Sequence, residues 1–253
     1  LKILMDFIRP TSGEVKFAET LGTKQLDIFR NIGFLPERPY FYPNLTGEEF
    51  LIFMGKLSDM NSKSIKDEIK NWAPRFKIEH ALKRELKTYS KGMLQRLGFL
   101  STILHHPKVI ILDEPLSGLD PIGRKELKDV IVEVHKQGKT VFFSSHIVPD
   151  IEEICDRVIF LKEGKLAYDG SVNALIRQVK NQEYQISFRG EVEIPTELIR
   201  EKMKLPDQVT KILVSSDNKD QLLKYLIEKN VNIQGLELIR PSLEEIFYHT
   251  EKH

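Results

Sequence analysis

The tract Lys108–Pro115 constrains the fold most. Val109-Ile110-Ile111-Leu112 is an uninterrupted apolar run that ends in Asp113-Glu114-Pro115. A strand without polar alternation belongs in a sheet covered on both faces, as parallel sheets are. The next elements agree. Asp120-Pro121 opens a helix with proline at its first position, Leu127, Val130, Ile131 and Val134 line one face of it, and Gly138 ends it. Thr140–Ser144 is a second buried strand. Strand, helix and strand within about 35 residues make one right-handed crossover unit. Two adjacent carboxylates then sit at the C-terminal end of a strand, where open α/β sheets place ligands. Asp113 is a candidate for holding Mg²⁺ through water, and Glu114 for polarising an attacking water. An acidic loop at a sheet edge is the plain alternative.

The rest of the chain arranges itself around that unit. Leu1, Leu4, Met5 and Ile8 recur at helical spacing, so Leu1–Phe7 is expected to be helical, stopped by Pro10-Thr11-Ser12-Gly13. Glu14–Phe17 and Ile32–Leu35 read as short strands. Residues 43–104 are helical in pattern: Gly47–Lys56, Lys63–Phe76 and Ser90–Leu104. Thr46 with Glu49 three residues on forms a capping box for the first of them. Val158–Leu161 and Lys165–Tyr168 read as a hairpin across Glu163-Gly164. From Glu183 the texture turns to more lysine and fewer glycines. The expected order there is strand Glu183–Phe188, helix Thr196–Met203, strand Val209–Val214, helix Lys219–Lys229, strand Asn232–Ile239 and helix Leu243–Glu251. Ser242 and Glu245 offer a second capping box ahead of the last helix.

Composition removes several function classes. Lysine and arginine (38) nearly balance aspartate and glutamate (37), so a net charge of +1 gives no electrostatic case for nucleic acid as a partner. Cys155 is the single cysteine and has no partner for an internal disulfide, which fits a reducing cytosolic setting; a buried apolar role is the simplest one for it. No window approaches the roughly 18 consecutive apolar residues of a membrane span, and no signal peptide is visible. The chain opens with Leu inside an apolar helical pattern, so a further N-terminal segment is expected ahead of it.

Four tracts follow one another in a telling order. They are Tyr89-Ser90-Lys91-Gly92-Met93-Leu94-Gln95-Arg96, the acidic strand, Ser117-Gly118-Leu119-Asp120, and Ser144-Ser145-His146. Together they resemble the nucleotide-binding domain of ABC transporters: signature, Walker B strand, D-loop and switch histidine. The resemblance covers Leu1 to about Val179. It implies a P-loop NTPase-like mixed α/β sheet over residues 1–179, with a helical subdomain at about 43–104. Residues 183–253 form a small α+β, ferredoxin-like C-terminal domain. Its end, Arg240-Pro241-Ser242-Leu243-Glu244-Glu245-Ile246-Phe247, looks like the accessory domain of drug- and antibiotic-exporter ATPases.

The resemblance assigns roles residue by residue. Ser90, Lys91 and Gly92 begin a helix whose N-terminus favours an anion, and in the family this end grips the γ-phosphate of ATP bound mainly to the opposite subunit. The common family form is Ser-Gly-Gly, so Lys91 either adds charge beside the phosphate or faces solvent; Tyr89 and Met93 also replace the usual Leu and Gln. Ser117 and Asp120, in the D-loop, would help bind ATP; Asp120 would also organise the dimer interface and cap its own helix. His146 would contact the γ-phosphate and orient both the water and Glu114. Glu37, in Gly33-Phe34-Leu35-Pro36-Glu37, occupies the position of the family's glutamine loop and would help hold Mg²⁺. Tyr40, Phe41 and Tyr42 would meet the membrane subunit; a core patch is the bland alternative.

No Gly-x-x-x-x-Gly-Lys-Ser/Thr occurs in the 253 residues. Gly138-Lys139-Thr140 precedes a strand, whereas a phosphate loop follows one. His105-His106 lacks companion metal ligands at useful spacing. The family's phosphate loop comes immediately before a helix resembling Leu1–Phe7, so it is expected upstream, and the chain alone is expected to be inactive. The implied protein binds ATP and Mg²⁺ and is an ATPase. It pairs with a second ATP-binding subunit and works on the cytoplasmic face of the membrane, driving export through separate membrane permease subunits. A soluble ABC ATPase without a transport role and a non-catalytic remnant are the competing readings.

Overall fold

Three parallel strands carry the first half of the molecule, and their register decides where chemistry can happen. In the computed structural model, which describes residues 1–177, 183–205 and 208–239, β1 (Ile32–Leu35) pairs with β2 (Val109–Leu112), and β2 pairs with β3 (Thr140–Phe143). Leu35, Leu112 and Phe143 stand side by side at the last rung. Asp113 N–H continues the ladder to Leu35 O at 2.8 Å, and Ser144 N–H to Leu112 O at 3.0 Å. The segments after β1, β2 and β3 therefore leave the sheet at one end.

The helices expected within residues 43–104 form, and a short helix ahead of β1, which apolar periodicity does not indicate, joins them. α1 (Gln25–Arg30) precedes β1; α2 (Gly47–Leu57) and α3 (Ser62–Trp72) build the helical subdomain with α4 (Lys91–Ile103). The capping box forms as expected: Glu49 N–H donates to Thr46 Oγ1 at 3.2 Å and Thr46 N–H to Glu49 Oε2 at 2.8 Å. Asn61 and Ser90 cap α3 and α4 with one bond each, their side-chain oxygens accepting Ser64 N–H and Met93 N–H. Phe76 and Phe99, both fully buried, meet edge to face at 5.2 Å and join the subdomain to α4. Leu97, Leu100 and Leu104 of this stretch and Ile110, Ile111 and Leu112 of β2 are all at most 1% exposed. The approach of α4 to β1 is so close that a Cβ on Gly33 would lie 2.2 Å from Thr102 O.

The crossover closes with α5 (Pro121–Lys136), whose Leu127, Val130, Ile131 and Val134 are buried as predicted. One expectation fails here. β3 is half-exposed rather than covered, with Phe142 39% accessible, because among the described residues no strand pairs on its far side. Two N-terminal expectations fail as well. Leu1–Phe7 forms turns, with Phe7 N–H bonded to Lys2 O, instead of a helix. Glu14–Phe17 forms no strand and joins no ladder among the described residues, so its apolar alternation has no partner to order it.

The chain divides into two compact units at Asp150/Ile151, upstream of the composition change at Glu183. α6 (Val148–Ile154) runs across this point. The second unit contains the hairpin of β4 (Arg157–Lys162) and β5 (Lys165–Ser171), followed by α7 (Val172–Arg177). It also holds a four-stranded antiparallel sheet. β6 (Glu183–Arg189), β7 (Glu201–Lys204), β8 (Val209–Ser215) and β9 (Asn232–Ile239) lie in the order β7-β8-β6-β9, with α8 (Ser216–Glu228) between β8 and β9. Ile186, Phe188, Ile212, Val214, Leu222 and Leu226 form its core.

This is the split strand-helix-strand pattern of ferredoxin-like sheets, with its first helix reduced to the 3-10 turn Thr196–Leu198. The expected helix Thr196–Met203 is corrected accordingly. Residues 201–204 pair with Thr210–Leu213, and Leu205 N–H donates to Val209 O, so cross-strand pairing overrides the local helical pattern. The expected helix Leu243–Glu251, its capping box and the exporter-like tract Arg240–Phe247 lie outside the described residues.

Candidate active site

At the shared end of β1, β2 and β3, four side chains interlock. Ser144, directly after β3, donates its hydroxyl proton to Asp113 Oδ1 at 2.6 Å and accepts the Glu114 backbone N–H at 2.9 Å. Glu114 takes a left-handed backbone conformation, φ +49°, which is uncommon for a residue with a side chain. Its carboxylate turns towards His146, whose Nδ1 lies 3.0 Å from both Oε1 and Oε2. With the proton on Nδ1, the imidazole donates to the carboxylate and leaves Nε2 free to face a ligand. The glutamate side chain is 23% exposed and the histidine 72%, so the pair opens towards solvent.

The loop after Glu114 is braced from α4. Ser117 N–H returns to Glu114 O at 3.1 Å, and the buried Gln95 donates from Nε2 to Pro115 O at 3.0 Å. Gly118 sits at φ +73°, and the Lys91 chain lies over it: a Cβ there would meet Lys91 Nζ at 2.4 Å. Lys91, left between two roles by the sequence, thus spreads across the Ser117–Asp120 loop of its own chain. Gly92 lies beside Leu119, and Asp120 Oδ1 caps α5 by accepting Gly123 N–H at 3.0 Å. Arg96, one residue beyond Gln95, donates to Phe76 O and pairs with Glu126 at 2.6 Å.

Glu37 follows β1 on the same end of the sheet, exposed, 4.0 Å from Arg38. Among the described residues no three His, Cys, Asp or Glu side chains converge as a metal cage. The oxygen donors at the strand ends nevertheless suit Mg²⁺, which is typically held by one or two carboxylates together with substrate phosphates and water. A concavity of about 440 Å³ lined by Pro195, Leu198, Lys224 and Tyr225 belongs to the second unit and includes none of the sequence-predicted site residues.

A model of the ABC transporter family matches residues 1–117, through the acidic strand to Ser117. Relatives extend the likeness over nearly the whole chain. An uncharacterized ABC transporter ATP-binding protein of Synechocystis sp. is 34% identical over 98% of this chain and 69% of its own length. YxlF, another of Bacillus subtilis, is 34% identical over 98% of this chain and 83% of its own. The chain belongs to the ABC transporter ATP-binding proteins. The bacitracin transport ATP-binding protein BcrA of Bacillus licheniformis is 32% identical over 98% of this chain and 82% of its own. A solved ATP-binding subunit of an ABC transporter superposes with a TM-score of 0.62 at 26% identity, covering 70% of this chain and 74% of the other. A model of the C-terminal domain of DrrA1-3-like ATP-binding proteins matches residues 170–250. Members of the ABC ATP-binding family bind ATP and are generally ATPases. Among the described residues no helix is long and apolar enough to cross a membrane.

Within this ABC ATP-binding chain, the aromatic cluster splits in two. Phe41 packs on Phe50 with ring centroids 5.1 Å apart, whereas Tyr40 and Tyr42 are 79% and 48% exposed and stack edge to face with each other. Tyr42 also meets Phe53. Tyr89 is buried where the family commonly has Leu. Its hydroxyl donates to Ala81 O at 2.6 Å, and burial holds its pKa above the ordinary phenol value. Sequence reasoning overlooked Gln95, Arg96 and Asp150 as supports of the site. Gln95 and Asp150 are polar residues at buried positions of apolar helical patterns, and that is the signal that could have drawn attention to them.

Proposed function

We propose that this chain is the subunit that hydrolyses ATP to drive export through separate membrane permease subunits. The observation that carries the reading is the Glu114–His146 contact at the ends of adjacent parallel strands, with Asp113 tied to the same serine. Glu114 orients and polarises the attacking water. His146 holds the glutamate carboxylate through Nδ1 and turns Nε2 towards the γ-phosphate. Asp113 and Glu37 would hold Mg²⁺, which when bound would neutralise charge on the phosphates. Ser90, Lys91 and Gly92 present the N-terminus of α4 to a triphosphate carried by a second ATP-binding subunit. Ser117 and Asp120 shape the facing surface between the two subunits.

The likeness to a bacitracin transport protein and to the DrrA1-3-like C-terminal domain favours export over uptake. Residues 183–253 act as an accessory domain that contributes nothing to the chemistry, and the subunit works on the cytoplasmic face of the membrane. The exposed Tyr40 and Tyr42 meet the permease, while Phe41 braces them from within. Co-purification of the tagged chain with its permease tests this. Tyr40→Ala with Tyr42→Ala should weaken retention about tenfold or more without lowering the melting temperature. Unchanged retention, or an equal loss of fold, would contradict the coupling role.

A further inference from the structure

Glu114 holds its left-handed backbone because something compensates for it, and the compensation is unusually local. Its N–H goes to Ser144 Oγ at 2.9 Å. Its carbonyl accepts from Ser117 N–H, and the next carbonyl, of Pro115, accepts from Gln95. A hydroxyl has one proton to give. Ser144 spends it on Asp113 Oδ1, so the same oxygen is oriented to accept the Glu114 amide. Ser144 itself is fixed in the ladder by its N–H to Leu112 O. One side chain on β3 therefore sets both the carboxylate at the end of β2 and the peptide that aims the next carboxylate at His146.

We infer that Ser144 is a positioning residue, whose hydroxyl fixes Asp113 and the Glu114 backbone relative to each other and so holds Glu114 within reach of His146. The inference rests on the proposed catalytic reading of Glu114, but its geometric part stands apart from turnover. Removing the hydroxyl leaves the Glu114 N–H and Asp113 Oδ1 without their shared partner in a half-buried place. The strained φ then relaxes towards the extended region and swings the carboxylate off the imidazole. Ser145 offers an internal comparison, because its Oγ accepts from Ile147 N–H at 3.0 Å and touches neither acid.

Amide hydrogen exchange on the 253-residue chain reads this directly. In Ser144→Ala the Glu114 amide should exchange about tenfold faster or more, as expected for one lost partly buried hydrogen bond. Amides in α4 and α5 should keep their parental rates, and Ser144→Thr and Ser145→Ala should leave the Glu114 amide slow. An unchanged Glu114 amide in Ser144→Ala would overturn the inference. So would equal acceleration throughout α4 and α5, or a threonine variant that behaves like alanine. In a hydrolysing transporter, Ser144→Ala should lower kcat about tenfold and leave KM for ATP within about twofold, because orientation rather than binding is lost. A fast Glu114 amide with unchanged turnover would sustain the positioning role and overturn the catalytic reading of Glu114 instead.

Discussion

Asp150→Asn should destabilise the first unit more than any other single loss of charge near the site. The carboxylate is only 5% exposed and faces two cations. Arg124 pairs with Oδ2, and Lys128 Nζ lies 3.4 Å from Oδ1, with side-chain exposures of 28% and 12%. These contacts join the first turns of α5 to the start of α6, immediately beyond His146. Neutralising the acid leaves two cations crowded in a nearly buried place, and breaking such a pair costs about 3 kcal/mol. For a unit of this size that corresponds to a fall of about 6–12 °C in melting temperature. Trp72 is the only tryptophan and belongs to this unit, so its fluorescence in urea reports on the right part of the chain. Lys128→Gln should cost under about 1 kcal/mol, because the Arg124 contact survives. An Asp150→Asn variant within about 0.5 kcal/mol of the parent would refute the argument, as would Lys128→Gln being the more damaging change.

Three further outcomes follow from the same structure. Burial and the neighbouring Asp156 push the Cys155 thiol up to about 11, so iodoacetamide at pH 8 should label it about 10²-fold more slowly than a free thiol. Labelling should accelerate only as the pH approaches that value; fast labelling at pH 8 would contradict the raised pKa of this half-buried thiol. His105 is held below its ordinary pKa chiefly by burial, so the native state keeps it neutral while the unfolded chain gains a proton as the pH falls through about 6.5. Stability should therefore decline from pH 7 to pH 5, and His105→Phe should remove part of that decline; an identical pH profile in the variant would refute this. Calorimetry of Mg-ATP with the 253-residue chain should find no binding tighter than millimolar, since its strand ends present acids and its sequence has no glycine-lysine cradle. Micromolar binding would mean that other residues build a phosphate site.

What was legible in the sequence was legible because its causes are local. The apolar run Val109–Leu112 and the Pro121 and Gly138 boundaries of α5 need no distant partner to be interpreted. The Thr46–Glu49 box is likewise complete within four residues. The order of motifs then indicated that Asp113, Glu114 and His146 would act together, and the parallel register brings them to one end of the sheet. The misreadings concern residues whose state is set from afar. Residues 201–204 become β7 because Thr210–Leu213 pair with them. Leu1–Phe7 has helical spacing, but spacing alone does not supply a surface to bury it. Ser144 was visible as part of a motif, yet its bond to Asp113 spans 31 positions. The Arg124–Asp150 pair spans 26. No periodicity reports either one.

The proposed chemistry stands or falls on Glu114. The measurement is steady-state ATP turnover of Glu114→Gln in a chain that carries a phosphate-binding loop ahead of Leu1, assembled with its permease, alongside nucleotide affinity in the same preparation. The amide keeps the shape of the side chain and its approach to His146, but removes the charge that polarises water. Turnover should fall about 10²–10⁴-fold while ATP affinity stays within about threefold. Turnover near the parental rate would take Glu114 out of the chemistry and, with it, the proposed site.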